Sequence, residues 1–335
     1  MTSYEQIVAP IRDEFALFQR EFEVSLQTDN SLLHEVLSVL SSRRGKQLRP
    51  LLVLLSAKLA GEVNNKTIRT AVALELLHTA SLIHDDVVDD SDFRRGQPAI
   101  QRQFSNRVAI LVGDFLLSKV IEIISSLRNV QILGIVSDMG KALSGGELMQ
   151  MGYVNSATTP SQLITEKQYF DIITRKTARL FAACAEAGAV SAGATMRQFT
   201  ALSTYGEQLG ICFQMQDDLL DFSDSEELGK PTMQDARERK ITLPLLVSLQ
   251  RAPQDESRHI LSMCRENMQE QDEQDIRSFV LRYDGIRYAR RRMEEHRQKA
   301  AEALQNVIRP QHSTLQDSLI RSLSTLLDYS VNRQM

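Results

Sequence analysis

Residues 84–90 read HDDVVDD, and this stretch places Asp85, Asp86 and Asp89 in sequence that is otherwise apolar and helical in pattern. Residues four apart on a helix share a face, so Asp85 and Asp89 lie on one side, with Asp86 about 100° around the axis. Carboxylates that repel one another in apolar surroundings need a compensating cation, and an all-oxygen ligand set favours a hard ion such as Mg²⁺. The stretch therefore predicts a magnesium site near the end of a helix.

A second stretch, QDDLLDF at residues 216–222, repeats this spacing with Asp217, Asp218 and Asp221. In proteins Mg²⁺ usually takes one or two carboxylates, keeps several waters and gives its remaining positions to substrate phosphates. The two aspartate clusters therefore predict two helices that face each other across a cavity holding a diphosphate.

The rest of the chain has the composition of a mostly helical protein, because its 335 residues include only 15 Gly and 8 Pro and no Trp. Helical periodicity predicts single helices over 66–90, 161–190 and 196–223, and the first and third are apolar on several faces, as central helices are. No linker rich in Pro, Gly or Ser interrupts the pattern. We predict an all-α fold: one domain over 1–335, a bundle of about ten or more helices around a central cavity.

Charge and cysteine content narrow the class of protein. A formal net charge of −4 gives no overall attraction for nucleic acid or an anionic membrane. The cysteines, three in number and widely spaced, are typical of buried thiols in a reducing compartment. No signal peptide is recognisable, and the apolar stretches are too short for a membrane span. We expect a cytoplasmic protein that is not stably inserted in a membrane.

A basic segment, RRGKQLRP at residues 43–50, contains four cations at a turn and a helix start. An isolated run of this kind is usually a solvated loop. Next to two metal-type clusters, however, it is a candidate site for a second anionic substrate. Lys46 and Arg49 are the cations nearest the helix start.

Three more residues near the first cluster are candidates for anion binding. Arg94 and Arg95 follow it closely, and guanidinium groups bind phosphate in bidentate geometry; the alternative is a solvated charged loop. His78 lies about two helical turns before Asp85, on a similar face, although a histidine in apolar sequence is often a core residue. Glu75 and His78 also form the E-x-x-H of di-iron bundles, but we find no second copy.

The polar loop after the second cluster includes Gly229, Lys230 and Asp235. It lacks the spacing of a Walker-type phosphate loop. A mobile lid over a charged leaving group and a plain surface loop are both consistent with this sequence.

Together these motifs resemble the trans-isoprenyl diphosphate synthase family along nearly the whole chain. One D-D-x-x-D is moderately specific, whereas two of them with the basic segments in this order are a strong signal. The matching motifs are GKQLRP (45–50), HDDVVDD (84–90) with the following RRG, GD (113–114), GGELMQ (145–150), KTARL (176–180), FQMQDDLLDF (213–222), GKPTMQD (229–235) and the final Gly285 to Ala289.

The resemblance implies an isoprenoid synthase type I fold, a homodimer, and a prenyltransferase that adds isopentenyl diphosphate to an allylic diphosphate. It also implies three Mg²⁺ ions per active site. The implied metal ligands are Asp85, Asp86, Asp89, Asp217, Asp218 and Asp221. The implied contacts to the allylic diphosphate are Arg94, Lys176, Thr177, Gln214 and Lys230. The implied contacts to isopentenyl diphosphate are Lys46, Arg49, His78 and Arg95.

Product length in this family depends on the side chains one turn before the first cluster, where bulky aromatics stop growth early. Ala80 and Ser81 occupy these positions and are small. We therefore predict a long-chain all-trans polyprenyl diphosphate of the kind used as a quinone side chain. The alternative is that Ala80 and Ser81 are close helix contacts and that the segment 116–124 sets the limit.

Several other functions share part of this pattern. A short-chain farnesyl or geranylgeranyl diphosphate synthase has the same motifs and a shallower cavity. A class I terpene cyclase normally lacks the second aspartate cluster and the Lys46/Arg49 site. A catalytically silent synthase subunit loses the aspartates, which are all present here, and a helical scaffold would explain neither cluster.

Overall fold

The structure is a computed structural model, and it describes residues 2–43, 45–94, 96–154, 163–223, 232–264, 268–307 and 313–333. Most of them, 82%, are helical, which confirms the predicted all-α class. The described strands are two, each of two residues, and they form one hairpin in which Phe93–Arg94 pairs antiparallel with Gln97–Pro98. None of the helices in the described part of the chain combines the length and the apolar content of a membrane span.

The described helices, labelled in chain order, begin and end as follows. The first part of the chain contains α1 (Ser3–Val8), a 3₁₀ turn (Ala9–Ile11), α2 (Arg12–Ser25), α3 (Ser31–Ser42), α4 (Leu48–Ala60), α5 (Asn65–Val88), α6 (Ile100–Gln103), α7 (Asn106–Ser126) and α8 (Val130–Val154). The second part contains α9 (Glu166–Ile173), a π-helical segment (Thr174–Ala178), α10 (Arg179–Ser191), α11 (Met196–Asp221), α12 (Gln234–Arg237), α13 (Leu243–Arg251), α14 (Gln254–Met263), α15 (Glu270–Arg282), α16 (Gly285–Gln305) and α17 (Thr314–Asn332).

The chain packs into two compact units. The first consists of Met1–Ser137, Ala183–Ser203 and Asn306–Thr325, and the second of Asp138–Ala182, Thr204–Gln305 and Leu326–Met335. The first aspartate cluster belongs to the first unit and the second cluster to the second unit, and each is described within its own unit. A single domain over 1–335, with the two clusters facing each other, stays a prediction.

Helices α5 and α11 carry the two clusters, and both are buried on several faces, as their sequences predicted. In α5, consecutive residues from Thr70 to Leu74 are all buried. Asn64 caps the start of this helix, since its side-chain oxygen accepts hydrogen bonds from the N–H groups of Lys66 (2.9 Å) and Thr67 (3.2 Å). A stretch of helix with no solvated face, such as this one, belongs to the interior of its unit.

The sequence pattern misjudged two local features. The segment 161–190, predicted as one helix, is divided over its described part into α9, the π-helical segment and α10. The hairpin after the first cluster was not predicted, because two-residue strands are too short to show alternation. The three cysteines are free thiols and are buried, as expected.

Gly188 permits the close approach of α10 to α4 in the first unit. A Cβ atom at this position would lie 2.3 Å from the carbonyl oxygen of Val53, which belongs to the backbone and cannot rotate away. We expect Gly188→Ala to lower the free energy of unfolding by about 2–3 kcal/mol through overpacking. Thermal denaturation followed by circular dichroism measures the change.

The matched control for this prediction is Gly140→Ala, at a helical glycine whose added Cβ meets no atom within 4 Å among the described residues. Alanine there should raise stability by about 0.5–1 kcal/mol, because it loses less backbone entropy on folding. Equal stability changes in the two variants would contradict the packing argument.

Candidate active site

The first cluster lies at the C-terminal end of α5. Asp85 and Asp86 are in its last turn, and Asp89 is the residue that ends it, with its N–H donating to the carbonyl of Asp85 at 2.8 Å. Asp86 is buried, whereas Asp85 and Asp89 are half-buried. The predicted position of the cluster on its helix is confirmed.

Arg94 lies in the first strand of the short hairpin and forms an ion pair with Asp86 at this helix end. Its Nε donates to Asp86 Oδ1 at 2.8 Å, and its Nη2 contacts the same oxygen. Burial raises the pKa of Asp86 above its usual range, although Arg94 opposes this shift. Gln101 stabilises the turn, since its Nε2 donates to the carbonyls of Asp86 (2.7 Å) and Ser91 (2.6 Å).

His84, which begins the HDDVVDD stretch, explains the Gly113 of the GD motif. A Cβ at Gly113 would lie 2.2 Å from His84 Nε2, so glycine leaves room for the imidazole in its present position. The same His84 nitrogen lies 3.2 Å from the carbonyl oxygen of Ile110, which is on α7 together with Gly113. The two motifs therefore pack α5 against α7 beneath the first cluster.

A cavity in the first unit brings several predicted site residues together. His78, Asp86 and Arg94 line it, as do Glu75 and Gln47. Of the basic segment, Lys46 is exposed and Arg49 is half-buried at the start of α4; Gln47 between them has a positive φ of 50°. The structure thus places His78 at the same cavity as the first cluster, while the roles of Lys46 and Arg49 stay predictions.

The two predicted chain-length residues lie on α5 away from this lining. Ala80 is fully enclosed, and Ser81 is half-buried with its Oγ donating to the carbonyl of His78 at 2.9 Å. The α5 residues that line the cavity are Glu75, His78, Thr79, Leu82, Ile83 and Asp86. Among described residues, then, this cavity does not include Ala80 or Ser81, and their role stays a prediction.

In the second cluster Asp218 is the buried carboxylate. Its Oδ2 accepts from the Tyr169 hydroxyl at 2.5 Å, and its Oδ1 accepts from Gln214 Nε2 at 2.9 Å. Thr177 Oγ1 in turn donates to Gln214 Oε1 at 2.7 Å. These hydrogen bonds fix the carboxylate, the amide and the hydroxyl in one network.

Burial dominates the electrostatics of this network. It raises the pKa of Asp218 to about 7, although the hydrogen bonds from Tyr169 and Gln214 favour the charged form. Burial, and after it the carboxylates of Asp221 and Asp218, raise the pKa of Asp235 well above its usual range. The excess of buried carboxylate favours binding of a cation.

The π-helical segment positions Lys176 and Thr177. Lys176 Nζ pairs with Glu147 at 2.6 Å and donates to Gln150 Oε1 at 2.8 Å. Gly146, from the GGELMQ motif, lets α8 approach the π-helical segment closely, since a Cβ there would lie 2.9 Å from Arg175 Cβ. A second-unit cavity is lined by Lys176, Thr177, Gln214, Asp218 and Asp235, so it brings together three of the predicted allylic contacts, while Arg94 lines the first-unit cavity.

The other two aspartates of the second cluster have partners of their own. Asp221 accepts from the backbone N–H groups of Gln234 (2.9 Å) and Asp235 (3.1 Å), and so anchors the start of α12. Asp217 forms an ion pair with Arg333 at 2.5 Å.

The fit of a metal ion can be judged from this donor set. Among the described residues, no group of three or more His, Cys, Asp or Glu side chains is arranged as a ready metal cage. Mg²⁺ needs none, because one or two carboxylates, waters and substrate phosphates complete its coordination. The oxygen-only donors at both helix ends therefore fit Mg²⁺.

Some site residues escaped prediction or cannot be placed. Arg95 and Lys230 lie outside the described residues. Tyr169 and Arg333 were not predicted as partners of the second cluster. Tyr169 lies seven positions before Lys176, a helical spacing that could have suggested it, whereas no sequence signal connects Arg333 to Asp217.

Comparison with known proteins supports a family assignment. A polyprenyl synthetase family model matches residues 30–281. The octaprenyl diphosphate synthase of Haemophilus influenzae is 34% identical over 281 residues, 84% of each chain. The all-trans-nonaprenyl-diphosphate synthase (geranyl-diphosphate specific) of Rhodobacter capsulatus is 32% identical over 326 residues, 97% of each chain.

A solved structure agrees with these sequence relatives. The polyprenyl synthase from Caulobacter crescentus CB15, complexed with calcium and isoprenyl diphosphate, superposes with a TM-score of 0.89 at 31% identity over 100% of both chains. The motifs, the helical fold and these likenesses agree, and the chain belongs to the polyprenyl synthetase family.

Proposed function

We propose that this chain is a Mg²⁺-dependent prenyltransferase that condenses isopentenyl diphosphate head-to-tail onto an allylic diphosphate and makes a long-chain all-trans polyprenyl diphosphate. The observation that carries the proposal is a full set of family motifs, with two aspartate clusters that each end a buried helix beside cationic side chains. The octaprenyl and nonaprenyl synthases among its relatives support a long product.

The aspartates that would hold Mg²⁺ are Asp85, Asp86, Asp89, Asp217, Asp218 and Asp221, around three ions in all. A carboxylate has about four lone-pair sites, so Asp221 could ligate a metal ion while it anchors α12. When bound, Mg²⁺ neutralises the diphosphate and so stabilises it as a leaving group.

The side chains of this protein would bind and orient the substrates. Arg94, Lys176 and Lys230 supply positive charge to the allylic diphosphate, and Thr177 and Gln214 supply hydrogen bonds. In the structure Arg94 is paired with Asp86 and Lys176 with Glu147, so both cations would exchange a carboxylate for a phosphate when substrate binds. Lys46, Arg49, His78 and Arg95 would bind isopentenyl diphosphate.

The reaction then needs no protein nucleophile. The allylic C–O bond breaks, and the diphosphate leaves with the electron pair. The double bond of isopentenyl diphosphate forms the new C–C bond, and a proton is lost to the released diphosphate. The second-unit cavity is lined in part by the apolar side chains of Ile164, Ile172, Ile173 and Ile241. Such apolar walls keep water away from the allylic carbocation that forms when the C–O bond breaks.

A short-chain synthase is the second candidate, because one relative is named a short chain isoprenyl diphosphate synthase. The deciding experiment is incubation of the purified protein with Mg²⁺, labelled isopentenyl diphosphate and farnesyl diphosphate, followed by sizing of the dephosphorylated products. Long-chain products are expected. A stop at geranylgeranyl would establish the short-chain candidate, and no incorporation despite bound diphosphate would indicate a cyclase or a silent subunit.

We also propose a homodimer and a cytoplasmic location. The homodimer is supported by apolar side chains on α7 that are exposed in the single chain: Ile110, Leu111 and Ile121 are 43%, 67% and 66% accessible. Analytical ultracentrifugation should give the mass of a dimer, and a monomer mass would contradict the proposal. No nucleic acid is expected as a partner.

A further inference from the structure

Arg333 follows α17 and lies on the second aspartate cluster. Its Nη2 is 2.5 Å from Asp217 Oδ1, and its side chain is only 15% exposed. None of the sequence motifs that match the family includes Arg333. Its position is nevertheless determined by several contacts.

Three further contacts hold Arg333 in place within the second unit. Its guanidinium carbon lies 3.7 Å from the centroid of the Phe213 ring, and Nη2 donates to the Phe213 carbonyl at 3.0 Å. Gln216 Nε2 donates to the Arg333 carbonyl at 3.2 Å. Phe213 and Asp217 are one helical turn apart on α11, so ring and carboxylate bind the same guanidinium. These contacts distinguish a built docking site from a chance surface pair.

The hydrogen bonding of the Arg333 guanidinium is incomplete, which makes its contact with Asp217 easier to break. Arg333 Nε is buried and has no hydrogen-bond partner among the described residues. A buried donor without an acceptor weakens the bound arrangement, because the group has lost its water. The guanidinium can therefore be displaced from Asp217 more easily than a fully paired one.

We propose that Arg333 is a resident counter-ion of the second cluster, and that it competes with a divalent metal ion for Asp217. The inference rests on the proposed function, in which Asp217 is a metal ligand. Two cations that compete for one carboxylate repel each other at close range. By linkage, docking of Arg333 weakens metal binding, and metal binding in turn weakens the docking of Arg333 beside the end of α17.

The first cluster shows the same arrangement in its own unit, where Arg94 is paired with Asp86. Arg94 has a proposed second role at the allylic diphosphate, whereas Arg333 has none. Each cluster thus has an arginine on one of its carboxylates.

The test is to measure Mn²⁺ binding to the full chain without diphosphate, by titration calorimetry and electron paramagnetic resonance. All variants carry Asp85→Asn, which weakens metal binding at the first cluster. We expect Arg333→Met to bind Mn²⁺ about three- to tenfold more tightly, where tenfold equals about 1.4 kcal/mol. Arg297→Met is the matched control, because Arg297 pairs with Glu294 and Asp328 elsewhere in the unit, and its Mn²⁺ affinity should not change.

A folded Arg333→Met protein with unchanged or weaker Mn²⁺ affinity overturns the inference. Asp217→Asn separates this failure from that of the proposed function. If Asp217→Asn weakens Mn²⁺ binding and Arg333→Met does not strengthen it, only the counter-ion role falls. If Asp217→Asn has no effect, the metal assignment itself is wrong, and the counter-ion role falls with it.

Two measurements keep the test decisive if Arg333→Met does not fold. Phe213→Leu retains the charge but removes the stacked ring, and it should tighten Mn²⁺ binding in the same direction by a smaller factor. In the unaltered protein, Mn²⁺ should accelerate amide hydrogen exchange at residues 326–333. Absence of both effects overturns the inference.

Discussion

Alanine at Asp85 or at Asp217 is expected to lower turnover by at least about a thousandfold while the protein stays folded. Each substitution removes one oxygen ligand from a cluster that would otherwise hold Mg²⁺ against the diphosphate. Folding should survive, because both side chains are partly exposed and their removal relieves repulsion among neighbouring carboxylates. The measurement is the initial rate of labelled isopentenyl diphosphate incorporation at saturating Mg²⁺.

Asp138→Ala is the matched control for these two variants. Asp138 is an exposed aspartate on α8 that pairs with Lys141 at 2.8 Å, outside both clusters. Its turnover should equal that of the unaltered protein. Unaltered turnover in Asp85→Ala or Asp217→Ala would refute the assignment of that cluster, provided that circular dichroism shows the native helix content.

Phenylalanine at Ser81 is expected to shift the products from long chains to chains of the farnesyl and geranylgeranyl class. The prediction is that small side chains before the first cluster leave room for the growing prenyl chain, so an aromatic ring at Ser81 would fill that room. Ser81 is a better test position than Ala80, because Ala80 is fully enclosed and a ring there would overpack the core. Sizing of dephosphorylated products by chromatography measures the shift.

Ser38→Phe, at an exposed serine on α3, controls for the general effect of an added ring. It should leave the product distribution unchanged. An active Ser81→Phe enzyme that still makes only long chains would show that Ser81 does not limit product length. The limit would then lie deeper, as the alternative based on residues 116–124 proposes.

The helices that carry the two clusters could be predicted because their sequences are consistent over many turns. Apolar residues surround α5 and α11 on several faces, and the aspartates interrupt that pattern only at the C-terminal ends. The cluster positions on their helices followed directly. The grouping of Thr177 and Gln214 in one site came instead from the family resemblance, since no local pattern connects residues on two different helices.

What could not be predicted depends on pairs that are distant in sequence. Arg94 is close to Asp86 in the chain, but its return depends on a hairpin too short to be recognised. Tyr169 donates to Asp218, and Arg333 pairs with Asp217, only because different helices of the second unit pack together. A single sequence records the helix faces but not which faces meet.

The π-helical segment has a consequence for how this protein can change during evolution. A π turn is formed when one extra residue is accommodated within a regular helix. Loss of any one residue from Thr174–Ala178 would restore regular hydrogen bonding and keep α10 in phase with α9, but it would remove the widened turn that carries Lys176 and Thr177. Lys176 and Thr177 would then leave the cavity that they line. Deletions here should therefore be absent from active descendants, even though they would produce a more regular helix.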